Sequence, residues 1–262
     1  MMIENDAALR RYIPNALVTV QGEQSLFDKM QVELQLSESW FVRIFSDTDT
    51  SDAAKKVVAT DAFIRAVPSL DLVLTPNGFG IVSNNTIAPA SRDRVDRLLS
   101  SLEQNRDFAI DQLLHTLLLD NEWRATAQGR FFLATLQQTP QAFPSALHKG
   151  KAWQYFEQTH AQLVLIEQQL AEHYISCEVY ARLRNAAAGT PSDDEQLLIS
   201  SLQAIELDLL QGKPLPYKQL VSLVDYIRQR EEVFPEWQTS TTAELYKSHY
   251  FENKKNSSGY WF

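Results

Sequence analysis

Residues 91–119 read SRDRVDRLLSSLEQNRDFAIDQLLHTLLL, and the fold turns on how their apolar positions are spaced. Val95, Leu98, Leu99 and Leu102 recur at i, i+3, i+4 and i+7, and the phase continues roughly through Ile110, Leu113, Leu114 and Leu117. Side chains three and four positions apart share one face of an α-helix, so this spacing predicts one long amphipathic helix, or two stacked ones, ending near Leu119. Ser91 stands where an N-cap belongs, and Asp93 in the first turn complements the positive end of the helix dipole. Arg92, Arg94 and Arg97 alternate there with Asp93 and Asp96, a pattern usual for a solvated face that can also meet an acidic or polar partner.

Upstream, LDLVL at residues 70–74 is followed by TPNG and then FGIV, which predicts a small β-hairpin over about residues 70–83. Pro76 presets φ and Asn77-Gly78 accepts the positive φ of a tight turn. The two glycines are not a phosphate cradle: position 83 is serine, no lysine follows, and no third glycine opens a helix. Further upstream, Leu26, Phe27, Met30 and Leu34, then Trp40, Phe41, Ile44 and Phe45, predict one amphipathic helix or two. Ser51 or Asp52 can cap the next, carrying Val57, Val58, Phe63 and Ile64 to a stop at Pro68.

Downstream, Trp123 to Leu136 is expected as a helix. The segment TPQAFPSALHKG, residues 139–150, has two prolines and a closing glycine, and is the best interior boundary. Lys151 to about Ala187 carries Trp153, Phe156, Leu163, Ile166, Leu170, Tyr174 and Val179 as a stripe, predicting a rod of about 55 Å at 1.5 Å per residue. Ser192 and Glu195 form a capping box for a helix bearing Leu198, Leu202, Ile205 and Leu209, and another helix follows from Tyr217 to Gln229. The expected fold is mainly α: a helical bundle with one small β-hairpin and a long helix in the C-terminal half. It is divided into an N-terminal region, 1–140, and a C-terminal bundle with an aromatic tail, 146–262, which can pack as one unit.

The 262 residues are 44% hydrophobic and 22% charged, the composition of a globular chain with ample core. A net charge of −9 opposes wrapping nucleic acid, since phosphate contacts need a Lys/Arg-rich face. No leader pattern opens the sequence and no apolar run is long enough to span a bilayer, so a cytoplasmic location without membrane association is expected. The single cysteine, Cys177, lies in the apolar-periodic run HYISCEVYARL, where a buried structural thiol is the expected state.

The chemistry is sparse. Glu157 and His160 form Glu-x-x-His on a predicted helix, the half-motif of a carboxylate-bridged di-iron bundle, and they are the weak candidates for a metal site. The second copy is missing, so an interhelical Glu–His pair is the default. Asp47, Asp49 and Asp52 lack the glycine and terminal glutamate of a calcium loop. No nucleophile elbow and no His-Glu-x-x-His appear, so no catalytic residue and no cofactor are assigned. The tail SHYFENKKNSSGYWF is different in kind. Tyr250, Phe251, Tyr260, Trp261 and Phe262 either fold back onto their own domain or dock into a neighbour.

The segment LDLVLTPNGFGIVSNNTIAPASRDRVDRLL, residues 70–99, resembles an uncharacterised family found in phage-like (prophage) elements of gut Bacteroidetes. That family carries Leu-Thr-Pro-x-Gly-Phe-Gly-x-Val-Ser-Asn and Pro-Ala-Ser-x-x-Arg-Val stretches. The region Leu9 to Phe45 and the tail FENKKNSSGYWF are similar to it as well. The resemblance implies a virion structural protein, head–tail connector-like or a completion component, with protein partners, self-association into a ring, and virion association after assembly. On that reading Asn84, Asn85, Arg92 and Arg94 with the tail aromatics are the contact residues. A host helical scaffold or regulatory binding protein is the alternative, and a helical enzyme with a carboxylate/His metal site the second.

Overall fold

A computed structural model describes residues 2–13, 24–45, 51–70, 72–75, 78–81 and 92–247, the two short stretches at 72–75 and 78–81 by backbone alone. Among these residues the protein is mainly helical. The chain divides into two compact units, Met1–Ala161 with Ala187–Thr190, and Gln162–Ala186 with Pro191–Phe262.

In the first unit, α1 (Asp6–Tyr12) is capped by the Asn5 side chain, which accepts the Ala8 N–H. The apolar run from Ser25 forms two helices, α2 (Leu26–Lys29) and α3 (Gln31–Phe45), separated at Met30. The Met30 N–H reaches both Leu26 O and Phe27 O, which tightens the turn and starts a new helix. Ser51 opens α4 (Asp52–Leu70), its hydroxyl accepting the Ala54 N–H at 3.2 Å. Ile3, Leu9, Ile13, Leu26, Met30 and Leu34 pack on Ala59, Ala62 and Ala66, whose small side chains let α4 approach closely.

Pro68 does not end α4, contrary to expectation, because the helix runs to Leu70. A proline in the last turn removes one N–H while its fixed φ remains helical, and Ser69 Oγ donates to Ala66 O at 2.9 Å. Two strands follow, β1 (Leu72–Thr75) and β2 (Gly78–Ile81). They pair antiparallel, with Leu72 opposite Ile81 and Thr75 opposite Gly78.

The deciding stretch forms one helix, α5 (Arg92–Leu117). Leu102, Ile110, Leu113, Leu114 and Leu117 are buried, as the spacing requires. The helix expected from Trp123 to Leu136 is instead two short ones, α6 (Asn121–Arg124) and α7 (Ala127–Phe132). Thr126 Oγ1 caps α7 by accepting the Gly129 N–H at 3.0 Å. Gly129 packs so closely on α6 that a Cβ there would sit 2.2 Å from Trp123 O.

The core around this corner is aromatic. Trp123 Nε1 donates to Phe45 O at 2.6 Å, and the Phe132 ring lies 5.8 Å from Phe45 and 5.7 Å from Phe156. After a 3-10 turn (Pro140–Ala142) and α8 (Ser145–His148), α9 (Ala152–Leu170) begins. The proline-rich segment 139–150 lies inside the first unit, and the division falls within α9, after Ala161. Phe143 explains this: it is buried against Tyr155 and Phe156, at ring distances of 5.2 and 6.2 Å.

In the second unit the expected rod from 151 to 187 is broken. A π-turn, Ala171–Ile175, closes α9, and α10 (Cys177–Ala187) starts afresh after Ser176. Ser176 takes a φ of 76°, in the left-handed half that side chains disfavour. Its N–H reaches back to Ala171 O at 3.0 Å, and its hydroxyl accepts the Val179 N–H at 3.2 Å, so one residue ends one helix and caps the next. Cys177 is exposed, not buried. With Ser176, Val179, Tyr180 and Leu183 inward, Cys177 falls roughly a quarter-turn off the buried face at 100° per residue.

α11 (Asp193–Leu210) begins at the complete Ser192–Glu195 capping box that the spacing predicts. α12 (Tyr217–Arg228) matches its expected extent, and the short helices α13 (Pro235–Gln238) and α14 (Thr241–Glu244) end the described chain. Arg182 ties α10 to the rest of this unit, 2.8 Å from Glu195 and 3.4 Å from Glu236, with its guanidinium 5.0 Å above the Phe234 ring.

Candidate functional site

The first unit holds a buried polar network around Arg106. Its Nη1 lies 3.0 Å from Asp61 Oδ1 and its Nη2 3.0 Å from Asp107 Oδ1. Asp61 also accepts from Ser37 Oγ and from Arg65 Nε, both at 2.7 Å, while Asp107 Oδ2 accepts the Trp153 N–H at 2.9 Å. Burial raises the Asp107 carboxyl, and Arg106 and the Trp153 amide pull it back. Side chains of α3, α4 and α5 and the first turn of α9 are thereby joined through one guanidinium. Asp61, Asp107, Ser37, Arg65 and the Trp153 amide satisfy one another, so the network fixes helix positions.

Glu157 and His160 have different surroundings. His160 is buried, with its ring stacked on Phe131 at 3.9 Å, and its Nε2 donates to Phe131 O at 2.9 Å. A carbonyl only accepts, so Nε2 carries the hydrogen and is not free to ligate. Burial lowers the His160 imidazole from its ordinary value, against the opposing bond to Phe131. Glu157 is solvent-reached, yet the desolvation of its carboxyl by surrounding protein raises it; Arg106 and Arg43 oppose this, while Asp61 and Asp107 add to it. Among the described residues no group of three or more His, Cys, Asp and Glu side chains is placed to hold a metal ion.

Of the expected contact residues, Arg92 and Arg94 are described and exposed on the first turn of α5. Leu98 is 45% exposed, and full burial of the stripe begins only at Leu102. Asn84, Asn85, Tyr250, Phe251, Tyr260, Trp261 and Phe262 lie outside the described residues.

What sequence reasoning missed lies in the second unit. Glu167 on α9 and Glu206 on α11 are fully buried, with Tyr180 and Arg184 of α10 between them in chain order. Arg184 Nε is 2.8 Å from Glu167 Oε2, and the Tyr180 hydroxyl donates to Glu206 Oε1 at 3.3 Å. A signal was present. Glu167 stands four positions after Leu163 and three before Leu170, and Glu206 four after Leu202, so each interrupts an apolar stripe on its own inward face. Nearby, two carbonyls of the π-turn take donors from the end of the described chain: Thr242 Oγ1 reaches Ala171 O, which also accepts the Ser176 N–H, and the Tyr246 hydroxyl reaches His173 O, both hydroxyl bonds at 2.9 Å. A groove of about 650 Å³ adjoins this strap, walled by Trp237, Tyr246, Gln238 and Lys247 and by the paired Asp225 and Arg228.

Residues 8–132 match a family described as Family of unknown function (DUF6712). The match begins within α1 and ends on the last residue of α7, so it takes in Arg106, Asp61 and Asp107 but not Trp153, Glu167 or Glu206. No curated protein and no solved structure matches the chain. Among the described residues no helix is long and apolar enough to cross a membrane.

Proposed function

We propose that the protein is a non-enzymatic structural component of a phage-like particle, of the head–tail connector or completion type, acting through protein contacts. It is cytoplasmic before assembly and virion-associated after it. The observation that carries the reading is the two-part character of α5. The apolar stripe of its C-terminal half is buried and that half is fixed through Arg106, whereas its first turns expose Arg92, Arg94 and Leu98. A long helix anchored at one end and mixed apolar and basic at the other supplies a contact element on a rigid mount. The resemblance of residues 70–99 to prophage proteins supplies the particle. The paired strands β1 and β2 are taken as the arms of the expected hairpin, which precedes that contact element in the chain.

The test is mass spectrometry of particles purified after inducing the element that encodes the chain, with light scattering on the purified protein. The expected result is the chain in stoichiometric amount within particles, and a ring-sized mass alone or with a particle partner. Particles that assemble normally without any copy of the chain would overturn the reading.

A further inference from the structure

Two buried carboxylates and one partly exposed guanidinium lie in the C-terminal unit. Glu167 and Glu206 are each 0% exposed, and Arg184 sits 2.8 Å from Glu167 Oε2. The Arg184 guanidinium also lies 5.5 Å from the Tyr180 ring, and its ion pair is with Glu167. Glu206 receives one neutral donor, the Tyr180 hydroxyl, on Oε1 at 3.3 Å, and its Oε2 is sealed from solvent with no hydrogen-bond partner. A carboxylate removed from water and given no cation of its own takes up a proton in preference to staying charged.

We propose that Glu206 is a buried proton-binding site: the folded chain holds it as a neutral carboxylic acid, and the packing of α9, α10 and α11 around it is a lock that alkali releases. The groups facing it are Glu167 from α9 and Tyr180 and Arg184 from α10. Burial raises the Glu206 carboxyl well above the ordinary range, and the negative charge of Glu167 raises it further; the Tyr180 bond and Arg184 act in the opposite direction without cancelling that. Burial and the adjacent carboxylates likewise raise the Tyr180 phenol, so it remains a donor.

The direction of the pH effect follows from linkage. The raised group gives stability that is fully present below the unfolded carboxyl value of about 4.3. From there upward the unfolded chain has lost the proton that the folded chain keeps, and the folded-to-unfolded ratio falls about tenfold per pH unit from this group alone. The loss is complete once pH has passed the folded value, when the proton leaves to hydroxide or buffer and an unneutralised charge remains inside.

The experiment compares the full-length protein with Glu206→Gln, which keeps the shape and accepts the Tyr180 bond without titrating. Denaturant unfolding is measured from pH 5 to pH 9, and infrared spectra are recorded in the carboxylic C=O region at neutral pH. The expected result is a steeper loss of stability with rising pH in the natural protein than in Glu206→Gln, and a protonated-carboxyl band that the variant lacks. Parallel pH profiles overturn the proposal. Should the variant not fold, the infrared spectrum of the natural protein decides alone: a neutral-pH spectrum without a protonated-carboxyl band overturns it, and such a band lost on alkaline titration together with unit packing supports it.

Discussion

Arg106 holds two aspartates that are almost sealed from water, with side chains only 3% and 1% exposed at Asp61 and Asp107. Arg106→Met keeps much of the apolar stem and removes the charge, leaving both carboxylates underpaired. The expected destabilisation is about 3–5 kcal/mol, read as a lower urea midpoint at unchanged slope. A shift below about 1 kcal/mol would mean that the network is solvated and weak. His160 carries the opposite pH sense to Glu206. Its value is lowered by burial, so its contribution is present above the unfolded value of about 6.5 and is lost as pH falls through the folded one. His160→Gln retains a donor for Phe131 O and does not titrate. Thermal unfolding between pH 7.5 and pH 5 should therefore show a shallower acid loss in the variant than in the natural protein. These residues were only partly legible in the sequence. Glu-x-x-His was visible as a pattern, but the partner of His160 is a backbone carbonyl 29 positions away, and no side-chain motif encodes that.

Elements divide into those whose ends are local and those whose ends are imposed from elsewhere. Helix α11 starts where Ser192 and Glu195 say it should, since a capping box satisfies its own amides within four residues. The break between α9 and α10 carries no such sequence signal: no glycine or proline lies between Lys151 and Ala187, and the stripe runs on in helical phase. Ser176 bonds on both sides of it, and Thr242 adds a hydroxyl that meets Ala171 O from 71 positions downstream. Thr242→Val keeps the shape and deletes that donor in a buried setting. It is expected to cost about 1–3 kcal/mol and to speed amide exchange at residues 171–176. Unchanged exchange there would show that Ser176 maintains the break by itself. Gly129 makes the same point in the first unit, where the reason for glycine is the backbone of α6 and not a turn of its own.

Across the whole molecule, each unit has a core of its own: an alanine-lined and aromatic one in the first, and in the second an aliphatic one containing the buried Glu206. If the tail aromatics serve contacts with other proteins, removing residues 248–262 should leave the unfolding temperature and the helical circular dichroism unchanged. Self-association or particle incorporation should be lost. Parallel loss of stability and assembly in such a truncation would instead place the tail within the fold of the unit. By itself the sequence determined that the chain is mainly helical, where α5, α11 and α12 run, and that a cap opens α11, because helical phase and capping are written within one or two turns. Only the tertiary structure decided that the long rod breaks at Ser176, that the proline-rich segment lies inside a unit, that Cys177 faces outward, and that two glutamates interrupting apolar stripes share one interior. Those outcomes depend on hydrogen bonds and burial between positions tens of residues apart, which local spacing does not encode.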